Sequence, residues 1–81
     1  PFSTSTTISY TITETVPVEL SIVNMQGDLV CSLWKGVQSA GSFRVIWNGV
    51  NRFGQPAASG IYLCLLRFKD QTQTAKMIIM K

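Results

Sequence analysis

An all-β fold is what this chain predicts, a two-sheet sandwich of about seven short antiparallel strands, and three observations carry it. Apolar and polar residues alternate with period two along almost the whole length, and helical periodicity appears almost nowhere. Clusters of Gly, Pro, Asn and Asp punctuate the alternation every eight to twelve residues or so. Strands of this number and spacing make sandwiches of the Ig or fibronectin type III kind.

Taken in order, Ile8, Tyr10 and Ile12 alternate with Thr7, Ser9, Thr11 and Thr13 in a first strand whose outward positions are polar but β-favouring. Pro17 is expected to reset the chain. Val18, Leu20 and Ile22 then form the inward face of a second strand, closed by a turn over Asn24-Met25-Gln26-Gly27-Asp28 in which Gly27 takes positive φ. The third strand runs from about Leu29 to Lys35. After a turn at Ser39-Ala40-Gly41, Phe43, Val45 and Trp47 line the inner face of the next strand, with Trp47 as a core anchor. The long loop from Asn48 to Ser59 has room for a short edge strand near Ala57, because Pro56 lacks the donor a central strand needs. Ile61 to Phe68 is apolar on both faces and belongs in the middle of its sheet. Asp70-Gln71 turns the chain into a last strand over Thr72 to Met80. Trp47, Tyr62, Leu66, Leu20 and Ile22 are the expected core.

Eighty-one residues suffice for one domain, since a chain this short buries only about 60–65% of its unfolded surface. It has no histidine, four carboxylates (Glu14, Glu19, Asp28, Asp70) and two cysteines, which leaves no His-based triad and no Cys/His zinc cluster. No catalytic residue, metal ligand or cofactor is therefore expected. Charged residues are 14% of the chain against 46% apolar, so disorder is not expected. The net charge of +3 comes from scattered bases with no run among them, which excludes a nucleic-acid signature. The longest apolar stretches, Ile61 to Leu66 and Met77 to Met80, are far shorter than the roughly 20 residues that span a bilayer. The N-terminus carries neither Met nor a signal peptide, so Pro1 is expected to be an excised boundary or a mature start.

Cys31 and Cys64 sit inside apolar strands, away from any electropositive neighbourhood that would make a thiol reactive. Two readings of the pair stay open. A disulfide would close a loop of roughly thirty residues and stabilise by about 3–4 kcal/mol. Free buried thiols are the other reading. Their two strands are expected to be neighbours in one sheet, where few cross-strand positions meet disulfide torsions without strain. Gly49, Gly54 and Gly60 read as turn glycines, since no strand-to-helix step follows them to make a phosphate cradle. A carbohydrate platform would rest on Trp34 and Phe53 alone.

Five stretches, in order, carry a family resemblance. They are Pro1-Phe2-Ser3-Thr4-Ser5-Thr6-Thr7-Ile8-Ser9-Tyr10, Ile22-Val23-Asn24-Met25-Gln26-Gly27-Asp28-Leu29-Val30, Ser39-Ala40-Gly41, the run from Trp47-Asn48-Gly49 to Ala57-Ala58-Ser59-Gly60-Ile61-Tyr62, and the lysine-spaced ending from Lys76 to Lys81. Together they resemble the C-terminal sorting domain of type IX secretion cargo and the related Ig-like domain of flagellar hook-capping proteins. Asn48 and Asn51 stand where that family commonly has acids, which removes any cation site those acids would form.

The resemblance implies that residues 1–81 form one Ig-like C-terminal sorting domain, non-catalytic, ending its polypeptide at Lys81. It implies a larger cargo protein carried across the outer membrane of a Gram-negative bacterium, through the periplasm, to the surface or medium. Its implied partners are the outer-membrane secretion machinery, a sortase-like peptidase and the upstream domains of the parent. Gly60, Tyr62, Lys76 and Lys81 are the residues it assigns to the signal. Tyr62-Leu63-Cys64 also resembles the Tyr-Xaa-Cys of an Ig strand, whose hydroxyl ties a corner to the backbone. Lysines at 76 and 81 equally suit an edge strand guarded against unwanted pairing. A structural or adhesive Ig-like module, packing against neighbouring domains or copies of itself, is the alternative function.

Overall fold

A computed structural model describes residues 6–80. Six strands alternate with turns and no helix occurs among those residues: β1 (Thr6–Ile12), β2 (Val16–Asn24), β3 (Leu29–Gln38), β4 (Gly41–Trp47), β5 (Gly60–Phe68) and β6 (Gln71–Ile79). They form an antiparallel sandwich of two unequal sheets, one ordered β3-β2-β5-β6 and the other β1-β4. The expected opening Pro1 to Ser5 and the terminal Lys81 lie outside the described residues.

The seventh strand shrinks to one bridge, Val50 to Pro56. Proline has no N–H for a second rung, and the tight turn between the two residues holds them in a loop. Pro17 does not divide elements; it lies inside β2 opposite Val37, one residue before the β2–β5 ladder begins at Val18. Its missing donor therefore interrupts nothing on the β5 side. β3 runs to Gln38, longer than its alternation indicates, because two register shifts against β2 break that alternation. The residues skipped are Val30 and Leu33, and both pack against the core.

The core lies where the small sheet covers the large one. Trp47, Ile12, Leu20, Ile22 and Ile79 are its least exposed side chains. Tyr62 and Leu66 are buried with them, as the alternation of β5 requires. Tyr10 stacks on Phe43 at 5.5 Å across the β1–β4 pair, and its hydroxyl donates to Gln38 Oε1 at 2.8 Å, tying the small sheet to the far edge of the large one.

Two strands cannot cover four. The inward positions of β6 show it: Ile79 is buried and Met77 half-buried, but Ala75 and Gln73 are exposed. Beside them a groove of about 120 Å³ opens between β1 and β6, lined by Ile8, Tyr10, Leu20, Leu66, Gln73 and Ala75 among others.

Candidate functional site

The described residues contain no cluster of side chains that could hold a metal ion. No group of three His, Cys, Asp or Glu side chains converges there. No helix is long and apolar enough to cross a membrane. The best-defined local features are the outer sheet face, two tight turns and one well-tied loop.

The loop from 48 to 59 is held at both ends by aromatic side chains. Trp47 Nε1 donates to the Val50 carbonyl at 2.9 Å, and Tyr62 Oη donates to the Ala58 carbonyl at 2.7 Å. The tyrosine thus bonds to backbone four residues upstream, the tie that its position in an Ig-type strand leads one to expect. Ala57 buries its methyl in the core, and its N–H meets the Gly49 carbonyl at 2.8 Å. The Arg52 N–H reaches the Val30 carbonyl of β3 at 2.8 Å, where one of the register shifts leaves that group pointing outward.

The two tight turns at this end are the same device. Asn24 Oδ1 accepts the N–H groups of Gln26 and Asp28 at 3.0 and 2.9 Å, while Asn51 Oδ1 accepts those of Phe53 and Gln55 at 2.9 and 3.0 Å. In each the fourth residue is a glycine of positive φ, Gly27 at +87° and Gly54 at +78°, whose N–H returns to the asparagine carbonyl at 3.0 Å. Only the first turn stands out from the sequence. The second hides behind Trp47-Asn48-Gly49, although the spacing Asn-Xaa-Xaa-Gly is the same in both. Between them a groove lined by Asn24, Leu29, Val30, Asn51, Pro56 and Tyr62 opens beside the exposed Phe53, on whose ring Arg52 lies at 4.9 Å.

The thiols of Cys31 and Cys64 are free and buried. Their strands are not neighbours: β2 runs between them, and Ile22 is register partner to both cysteines. Two strand spacings separate their backbones, about 9.5 Å, beyond the roughly 7 Å limit for a bridge. Burial pushes both thiols up, Cys64 to about 11 with a further contribution from Cys31; a hydrogen bond with Trp47 partly offsets the rise at Cys31.

The four residues assigned to a sorting signal do not converge. Gly60 opens β5 opposite Ile79, and Tyr62 faces the core opposite Met77. Lys76 pairs with Leu63, one position along, and so points from the opposite face into solvent. Lys81 lies outside the described residues.

That outer face has two halves. Across it run Leu29, Val23, Leu63 and Lys76 in one row and Lys35, Glu19, Arg67 and Thr72 in another. The second is polar, with Glu19 at 4.0 Å from Lys35 and 3.5 Å from Arg67. The first is apolar as far as Lys76 at its edge and extends to Leu65, Ile61 and Ile78. It is the visible result of β5 being apolar on both faces.

The model of the FlgD Ig-like domain family matches residues 2–66, and the chain belongs to that family. No curated protein and no solved structure gives a significant match. The matched stretch runs through Leu66 of β5; β6 lies beyond it.

Proposed function

We propose that this FlgD-type Ig-like domain is a non-catalytic secretion and sorting module, carried as residues 1–81 at the C-terminal end of a larger cargo protein. The address takes the cargo through the periplasm of a Gram-negative bacterium and across its outer membrane, to the surface or medium. Its partners are the outer-membrane secretion machinery, the parent's upstream domains and, after transit, a sortase-like peptidase. One observation supports the reading above others. β6, which carries Lys76, lies at a sheet edge with that lysine in solvent, so a receptor reaches it without disturbing the core. The test fuses residues 1–81 to a periplasmic reporter in a bacterium that has the secretion system. Surface delivery that falls in the double variant Lys76→Gln, Lys81→Gln, at unchanged melting temperature, assigns the lysines to the signal. No delivery by the parent fusion ends the reading.

The alternative is a structural or adhesive module that packs against neighbouring domains or copies of itself. The apolar half of the outer face favours it, since Leu29 and Ile61 are exposed and Leu63, Leu65 and Ile78 half-exposed around the buried Val23. Leu65→Glu separates the two readings: it spoils a packing surface and leaves the edge and both lysines in place.

A further inference from the structure

The two edges of the large sheet are built differently. β3 is broken by two register shifts, devices that twist an edge away from unwanted partners. β6 has none: nine consecutive pairs join it to β5 without a shift. It contains no proline, its one charged residue is Lys76, and residues 71–76 are exposed. A long, regular, nearly uncharged edge is a template for another strand.

The hairpin determines which backbone groups that edge offers. Phe68 pairs with Gln71 across the two-residue turn Lys69-Asp70, so Gln71 directs its N–H and carbonyl to β5. Alternation then gives Gln73, Ala75 and Met77 to β5. Thr72, Thr74, Lys76 and Ile78 turn their backbone groups outward, to the free edge.

We infer that β6 pairs antiparallel with β6 of a second copy of this chain, about a twofold axis midway between the two Thr74 residues, joining the two four-stranded sheets into one of eight. In this register Thr74 faces its own equivalent and Lys76 faces Thr72 of the copy. Every residue that exchanges hydrogen bonds with the copy is one whose backbone groups are free, and no like charges stand opposite one another. The charges also complement each other. Asp70 and Lys76 both lack an ion-pair partner among the described residues. The register places Asp70 of the copy diagonal to Lys76, within reach of a long side chain. Thr–Thr pairs are favourable at such positions. This gives the alternative function above its partner and its surface, and rests on the part of that reading in which copies pack together; export as a monomer does not depend on it.

Thr74→Pro is the discriminating variant. Its missing N–H is one directed outward, so the β5–β6 ladder keeps all its bonds while the central pair of the new ladder is lost. Thr74→Lys provides a second route should proline unfold the strand: it places like charges face to face on the axis and leaves the monomer's exposed position polar. Sedimentation of residues 1–81 over a range of concentrations should show a monomer–dimer equilibrium. Both variants should weaken it at least about tenfold at unchanged melting temperature. Amide exchange adds a residue-specific signature, with Thr72, Thr74 and Lys76 gaining protection as concentration rises and Gln73 and Ala75 protected throughout. A chain that stays monomeric at millimolar concentration overturns the inference. A dimer that survives both variants but is lost in Leu65→Glu also overturns it, while keeping the reading in which copies pack, now through the outer face.

Discussion

The indole of Trp47 and the phenol ring of Tyr62 meet edge to face, centroids 5.5 Å apart and planes at 67°, and each ring holds one end of the same loop. The contact joins the last residue of β4, in the small sheet, to the core face of β5, in the large one. One pair thus links the two sheets and fixes the crossover between them. Edge-to-face pairs add about 0.5–1.5 kcal/mol beyond the area they bury, and each hydrogen bond adds about 1 kcal/mol.

Tyr62→Phe keeps the ring and deletes only the bond to Ala58. Urea unfolding followed by tryptophan emission should show a loss of about 1 kcal/mol, whereas Tyr62→Ala, which also removes the ring from Trp47, should cost about 3–5 kcal/mol. Equal losses in the two variants would show that the hydroxyl and not the ring pair holds the crossover.

The twin turns predict paired effects. Asn24→Ala and Asn51→Ala each strip the acceptor from two backbone N–H groups, and each should cost about 1–2 kcal/mol. Asn→Asp at either site should cost much less, since a carboxylate oxygen accepts the same two bonds. Gly27→Ala and Gly54→Ala meet no neighbour within 4 Å, so a loss of about 1 kcal/mol in either comes from the left-handed backbone alone. Denaturant midpoints for the six single variants test the equivalence; a turn that tolerates its alanine is not held as described.

The strand faces were legible because alternation survives wherever a strand is regular. Ile8, Tyr10 and Ile12, then Val18, Leu20 and Ile22, point inward as their spacing requires. β5 is apolar on both sides, which predicts two neighbours, and it pairs with β2 and β6. What local pattern did not reveal was strand order. Nothing within β3 or β5 says that β2 separates them, and the cysteine strands were expected side by side for that reason. Register shifts are equally silent: Leu29 to Trp34 is nearly all apolar, so Val30 and Leu33 carry no sign that the partner strand skips them. The division into four strands and two, which leaves the groove beside Ala75 open, depends on contacts far apart in the chain. Lys76 could be read as exposed; that its neighbours offer a free ladder could not.

Lys69 is the one non-glycine residue with positive φ among the described residues, at +54°, and it occupies the first central position of the β5–β6 turn. A two-residue turn with positive φ at that position favours glycine. Its side chain pairs with Glu14, but that pair is half exposed at both ends and contributes little. Lys69→Gly should therefore stabilise the domain by roughly 0.5–1 kcal/mol, read as a higher urea midpoint at unchanged slope. A lower midpoint would mean that the ion pair outweighs the backbone.

The buried thiols predict how the domain responds to alkali. Cys64 is raised from an ordinary value of 9.0 to about 11, first by burial and then by the neighbouring Cys31. Above pH 9 the unfolded chain loses its thiol protons while the folded one keeps them, so the unfolded state binds fewer protons and stability falls with pH. The contribution is whole below pH 9 and disappears as pH climbs through about 11. Across that window the wild-type chain should lose on the order of 1–2 kcal/mol more than Cys64→Ala, which is less stable at neutral pH but has no thiol there to titrate. Alkylation supplies an independent check: at pH 8 the native thiols should react with iodoacetamide only as fast as the domain opens, and denaturant should release both at once. Rapid labelling of the native protein would place Cys31 and Cys64 within reach of solvent and remove the basis of the alkaline effect.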